Sequence, residues 1–267
     1  MSTNVTAPTD YLLSGAGHRR GLAHWLRSFS MMVRWESKSL RLILPLAMVV
    51  QVFIGAGLVL GFGLLVGEVS VIQATYLATG ATVISMITLG LVLAPQIIAA
   101  QKQAGIYDYM WSLPVPRTTT VAAGLAVHTM IAVPGMVLAL LVAKWRYDID
   151  LSVSPLVVPG ALLILVTAAS VGFAMAHAIP NPMVTHLITQ VLVFVILLFS
   201  PINFPPDRLP DWLAFVHAGL PFQHAANVMR ACLTEGLSSN VGTSFAILGA
   251  WAMASWTITA WVVGRRP

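Results

Sequence analysis

A chain of 267 residues that is 58% apolar and only 9% charged is excluded from the ordinary water-soluble classes. Its 14 basic and 9 acidic residues leave a net charge of +5, and its one cysteine, Cys232, excludes an intrachain disulfide and a multi-cysteine metal site. The uncharged runs far exceed the roughly 20 residues a spanning helix needs and lack the alternation of barrel strands, so the expected class is all-α integral membrane.

Residues 1–17 are polar and rich in small residues, and read as a mobile tail. From 18 to 41 a helix is expected, with Arg20, Arg27, Arg34 and Arg41 spaced by seven and so held on one side. Leu22, Trp25, Leu26, Phe29 and Val33 cluster away from them. That pattern suits a helix lying in the membrane interface, its arginines reaching lipid phosphates and its aromatics in the acyl region. The plainer reading is a helix packed on a protein neighbour. The first span is expected over 42–66, with Gly57-x-x-x-Gly61 and Gly63-x-x-x-Gly67 offering a small-residue face for helix packing or a dimer contact, and Glu68 at its far end.

The second apolar window, about 72–100, would reach roughly 50 Å as one helix against a bilayer core of about 30 Å. Either its start, Ser70–Thr75, is an external loop, or the helix projects into the cytosol. The stretch 101–117, QKQAGIYDYMWSLPVPR, then interrupts two charge-free runs with a lysine, an arginine, a Gly-x-Tyr-Asp-Tyr turn and a Pro-x-Pro exit. Short, amphipathic and carrying Tyr107, Tyr109 and Trp111, it suits a membrane-face helix that offers its outer side to a partner. Pro114 and Pro116 end that helix and fix an extended exit.

The third span is expected over 120–143, followed by a charged external loop, Lys144–Ser154. No charge occurs from Leu151 to Pro206, too long for one crossing; Pro180 and Pro182 divide it into a fourth span at 155–176 and a fifth at 183–200. The proline-rich stretch 201–236 reads as two short external re-entrant helices that dip without crossing, and the sixth span as 241–264. A true crossing within 212–229 would reverse the C-terminus. With both ends cytosolic, ten of the 14 Lys and Arg lie inside, which satisfies the positive-inside rule.

Catalytic chemistry has little to stand on. None of the three lysines follows a glycine, so there is no phosphate-cradling P-loop, and no His-Glu-x-x-His, Gly-x-Ser-x-Gly or paired carboxylates occur. All nine acidic residues fall outside the expected spans, which argues against an intramembrane enzyme and weakly against an ion-driven carrier. Neither a metal nor nucleic acid is expected. Gln51, Phe53, His186, Gln190 and Phe194 are candidates for a substrate path, with His186 and Gln190 one turn apart and able to face the bundle interior. The plainer reading of such polar pairs is an interhelical hydrogen bond worth roughly 0.6 kcal/mol.

The order of parts resembles the membrane subunit of type-2 ATP-binding-cassette exporters over nearly the whole chain, from His18 to Arg266. Leu113-Pro114-Val115-Pro116-Arg117 fits that family's Leu-Pro-x-x-Arg-like exit from its coupling helix. Ser200-Pro201, Leu209-Pro210 and Leu220-Pro221 look like its Ser-Pro turn and Leu-Pro steps after span five. The chain departs from the family by having Gln101, Gln103 and Gly105-Ile106-Tyr107-Asp108 where acidic residues and a Gly-Thr-Leu/Met-Glu step are usual.

The resemblance implies that Gly105, Tyr107, Asp108, Tyr109, Trp111, Pro114 and Arg117 couple to a separate cytosolic ATPase, which would bind the ATP and Mg; no cofactor is expected in this chain. It implies a second permease subunit, identical or not, with the first, second and fifth spans near the two-fold axis, in a plasma membrane, most simply a bacterial inner one. The expected cargo is an amphipathic or hydrophobic small molecule. A lipid or lipid-linked glycan exporter is the alternative, and a stand-alone carrier or channel a second one.

Overall fold

The computed structural model describes residues 21–66, 70–237 and 240–264. The 1–17 tail, the 18–20 start of the expected first helix with Arg20, and also Gly67, Glu68 and the terminal arginines lie outside the described residues, as do the side chains of Tyr107, Trp111 and Arg208. No strand occurs among the described residues.

A helix α1 (Leu22–Ser39) leads into α2 (Ile43–Val66). The second span is α3 (Val71–Thr88), a π-helical turn (Leu89–Leu93) and α4 (Ala94–Gln103) in unbroken succession. After α5 (Ile106–Ser112) come α6 (Arg117–Tyr147), α7 (Val157–Ala178) and α8 (Pro182–Phe199). Two short helices, α9 (Asp211–Gly219) and α10 (Pro221–Leu233), precede α11 (Val241–Gly264). Among the described residues six helices are long and apolar enough to cross a membrane: α2, the α3–α4 rod, α6, α7, α8 and α11. The chain is therefore an all-α integral membrane protein, and six crossings return it to the side on which it began.

Helix ends follow local chemistry. Ser70 caps α3 in a reciprocal box with Gln73, so the helix begins where an external loop was one of two expectations, and the 33-residue rod Val71–Gln103 takes up the surplus length. The first residues of the loop expected from Lys144 instead form the final turn of α6, which ends at a left-handed Asp148. Asn181 caps α8 by accepting a 2.9 Å hydrogen bond from Met183 N–H, with Pro182 in the first turn.

The α3–α4 rod and α7 form the centre, being 72% and 61% buried over their most apolar windows, whereas α8 and α11 are 17% buried and lie on the outside. Close approach is set by glycine. Gly55 and Gly135 bring α2 against α6: a Cβ on Gly55 would lie 2.5 Å from the Gly135 carbonyl oxygen, and one on Gly135 would lie 2.6 Å from that of Gln51. Farther along, Tyr147 lies over Gly63 and donates a 2.8 Å hydrogen bond to the Val59 carbonyl. The helix-packing face of the first span is thus Gly55, Val59 and Gly63. Gly57 and Gly61, expected to pack, meet nothing within 4 Å inside the chain and lie open.

At one end of the bundle the loop after α6 is tied to the end of α10: Ser152 and Ser154 donate backbone hydrogen bonds to Leu233 and Cys232 at 3.0 and 2.8 Å. Arg230 of α10 is buried there, its guanidinium 4.1 Å from the Tyr76 ring centroid and donating to the Ile202 carbonyl. This arginine ties α10, α3 and the 201–205 turn together.

Candidate functional site

The opposite end of the bundle carries α1 and the 101–117 stretch. That stretch is three pieces rather than one helix. The rod α4 ends at Gln103; Gly105 turns the chain at φ 71°, a left-handed conformation that favours glycine; α5 then runs for seven residues. Leu113 and Pro116 are extended and carry the chain into α6. Asp108 and Tyr109 are exposed while Met110 is buried against Met32 of α1, Ile98 of α4 and Val121 of α6, so α5 has an anchored side and a free side. Pro114 is exposed and Arg117 half-buried.

Beneath the turn, α4 is fastened on two sides. Lys102 donates through Nζ to the carbonyls of Ala176 and Ile179 (2.8 Å for the latter), capping the end of α7. Gln101, buried, donates through Nε2 to Glu36 Oε1 at 3.3 Å. These contacts tie the end of α4 to α1 and to α7.

The face of α1 that packs is not the one the arginine spacing emphasised. Ser28, Met32 and Glu36, one turn apart, are buried against the bundle, whereas Arg27 and Arg34 are exposed and Trp25 is half-buried, stacked on Phe29 with centroids 5.3 Å apart. Trp25 Nε1 donates to Thr118 Oγ1 at 3.1 Å, which pins α1 to the start of α6. Leu22 and Leu26 remain exposed, and Arg41 is exposed at the turn into α2. The helix thus packs on protein along one stripe and keeps leucines and arginines on its open sides.

Burial pushes the Glu36 carboxyl above the ordinary value of 4.5, opposed by the Gln101 hydrogen bond. The titratable side chains lining the same small cavity are His128 and His177, whose Nδ1 atoms each lie 2.7 Å from a carbonyl oxygen of their own helix. A raised carboxyl means that the folded state prefers the neutral acid. Its contribution is complete below the unfolded value and is lost as pH rises through the folded one. Glu36→Gln is expected to flatten the decline in melting temperature above pH 4.5 and to raise it at neutral pH. Parallel wild-type and variant pH profiles would show that Glu36 is solvated.

A second feature opens on the outside of the bundle, between α2, α3, the π turn and α8. It is a groove of about 340 Å³ lined by Phe53, Ile54, Gly57, Leu58, Ile84, Ile87, Thr88, Leu91, Val92, Val193, Ile196 and Leu197. Thr88 alone among these is polar. Phe53 and Gly57 were singled out from the sequence, Phe53 for a substrate path and Gly57 for helix packing. Phe53 on α2 and Leu187, Val191, Phe194 and Leu198 on α8 are exposed.

The other expected path residues lie elsewhere. Gln51 is fully buried and donates through Nε2 to the Ser85 carbonyl at 2.9 Å, so it serves the packing of α2 on α3 rather than lining the groove. His186 and Gln190 do not face the bundle interior. Thr185 and Thr189 take that side of α8, which leaves His186 half-buried and Gln190 exposed. Their one-turn spacing is real, but α8 is apolar on nearly all sides and its rotation follows the small threonines. Gly55, Gly135, Glu36 and Arg230 were missed. For Arg230 a signal existed: Ala225, Val228, Met229 and Cys232 around it have the spacing of a buried helix face.

Among the described residues no group of three or more His, Cys, Asp or Glu is arranged to hold a metal ion. None of the curated proteins compared matches the chain. The family model described as ABC-2 type transporter matches residues 23–234. The matched stretch runs from α1 to the end of α10 and contains five of the six spanning helices, the 101–117 elbow and both short helices. The chain belongs to the ABC-2 type transporter family, as a multi-pass membrane component.

Proposed function

We propose that this chain is half of the membrane pathway of an ATP-driven exporter for amphipathic or hydrophobic small molecules. The observation that carries the substrate class is the α2/α3/α8 groove, whose lining of aliphatic and aromatic side chains around a single hydroxyl suits an apolar cargo better than a glycan. Two copies, or this chain and a related one, would pair across the exposed faces of α2 and α8, where Gly57 and Gly61 permit close approach and the two grooves would form one passage.

The drive comes from a separate cytosolic ATPase, which binds the ATP and Mg and seats on the free side of α5. In this reading the α1 and α5 end of the bundle is cytosolic, and the membrane is the cell membrane. Closure of the ATPases pushes α5, and the Lys102 and Gln101 ties carry the push into α4, α7 and α1. The rod then moves the π turn, which supplies Leu91 and Val92 to the groove, so the push reaches the cargo.

Replacing Tyr107 and Asp108 together by alanine tests the coupling. ATPase co-purification is expected to fall by about tenfold or more, roughly 1.4 kcal/mol, with the permease itself still folded. Undiminished co-purification and transport would remove α5 from the coupling role.

A further inference from the structure

We infer that the small cavity beneath the elbow binds one ordered water molecule, held by His128 Nε2 and Thr120 Oγ1 of α6 and shared with Glu36 of α1. The site does not depend on what the protein transports.

The cavity lies where α1, α4, α6 and α7 meet, and Glu36, Gln101, Thr120, His128 and His177 supply its polar lining around Phe173. Its volume is about 20 Å³. A water needs roughly 10–15 Å³ of such room and two to four polar partners. This cavity offers both.

His128 supplies the strongest argument. It is 1% exposed, and its Nδ1 lies 2.7 Å from the Gly124 carbonyl oxygen. A carbonyl has no proton to give, so Nδ1 carries the hydrogen. Nε2, on the far side of the ring, is buried and has no hydrogen-bond partner among the described residues. Phe173 hinders the ring from turning to find one, since it meets His128 edge to face at 87° with centroids 5.6 Å apart. Thr120 Oγ1 is likewise buried and unpartnered, and eight residues along α6 it stands on nearly the same face.

Leaving both atoms unsatisfied would cost the desolvation of each. One water removes both costs by donating to Nε2 and accepting from the threonine hydroxyl. If the imidazole is charged, the same water accepts from Nε2 instead, so the site serves either state. Glu36 borders the same space, and burial favours its neutral acid, whose O–H the water's remaining lone pair can accept. An apolar occupant could satisfy none of these groups. No three His, Cys, Asp or Glu among the described residues are arranged to hold a metal ion. The water thus forms a joint between α1 and α6, one that can exchange its hydrogen bonds when the helices shift.

The test is solid-state NMR of the full-length chain in liposomes with ¹⁵N-labelled histidine, the His128 ring being assigned through its backbone. Magnetisation is expected to pass from water protons to His128 Nε2, whose shift should be that of a hydrogen-bonded nitrogen. Stability supplies an independent readout. Thr120→Val keeps the shape and removes one of the water's partners, so the melting temperature is expected to fall by roughly 2–4 °C. In a dry cavity the same change removes an unsatisfied hydroxyl and the melting temperature would hold or rise. His128→Phe combined with Thr120→Val should lose less than the sum of the two single losses, because both act through one water. An Nε2 shift typical of an unbonded nitrogen with no transfer from water would overturn the inference. So would a Thr120→Val variant as stable as the wild type or more so, or additive losses in the double variant.

Discussion

Gly57→Trp is expected to reduce transport by at least about tenfold, roughly 1.4 kcal/mol in barrier, while the melting temperature stays at the wild-type value or rises. Gly57 is the one glycine lining the α2/α3/α8 groove, and a Cβ placed there meets nothing within 4 Å. Within one protomer the helix therefore accepts the new side chain without strain, and replacing glycine in a helix interior is itself favourable by up to about 1 kcal/mol. The indole then occupies much of a space of about 340 Å³ between Phe53, Ile84 and Leu197. Transport of a fluorescent hydrophobic compound into proteoliposomes containing the permease and its ATPase reads the effect. Cross-linking of α2 to its counterpart separates a blocked passage from a broken pair. Wild-type transport with the groove filled and the pair intact would sink the assignment of this groove to the cargo.

Gly172→Ala is expected to do the opposite: to destabilise the fold strongly, by about 1–3 kcal/mol or more, with any loss of transport following from that. Here α7 crosses the π turn backbone to backbone. A methyl on Gly172 would strike the Gly90 carbonyl oxygen, and one on Gly90 would lie 2.5 Å from the backbone of Ala168 and Ala169. No flexible side chain can yield, because the obstructing atoms belong to two buried helices. Such a loss is a large share of the roughly 5–15 kcal/mol by which proteins are folded. The comparison is Gly249→Ala on α11, whose added methyl meets nothing. Thermal unfolding in detergent should place Gly172→Ala well below wild type and Gly249→Ala beside it. Coincident melting curves for all three would show that the α7 crossing is looser than its geometry implies.

These two glycines mark the boundary between what the amino-acid order settled and what folding settled. The number and order of spans were legible because each is a local property. A charge-free run longer than the bilayer must cross it, and Pro180 and Pro182 must divide a run too long for one crossing. The elbow at 101–117 was legible for the same reason, through its break in hydropathy, Gly105 and the two prolines. The two short helices between α8 and α11 were announced by the prolines that start them.

Which side of each helix turns inward was not legible. In water, an apolar stripe on a polar helix points to the core; in lipid, both sides are apolar and the stripe disappears. Nothing in the α2 sequence separates Gly55, which meets α6, from Gly57, which opens on the groove. Likewise nothing in α8 reveals that Thr185 and Thr189 turn inward while Gln190 turns out. In α1, where polar residues restore the contrast, the regular arginines drew attention to an open face, and the buried stripe proved to end in the Glu36 carboxyl, hydrogen-bonded by Gln101 from 65 residues away. The sequence by itself determined how many times this chain crosses the membrane and where it bends, since hydropathy and proline act within one segment. Only the tertiary structure decided which glycines are contacts and which are openings, because that depends on the rotation of helices whose sides look alike to lipid.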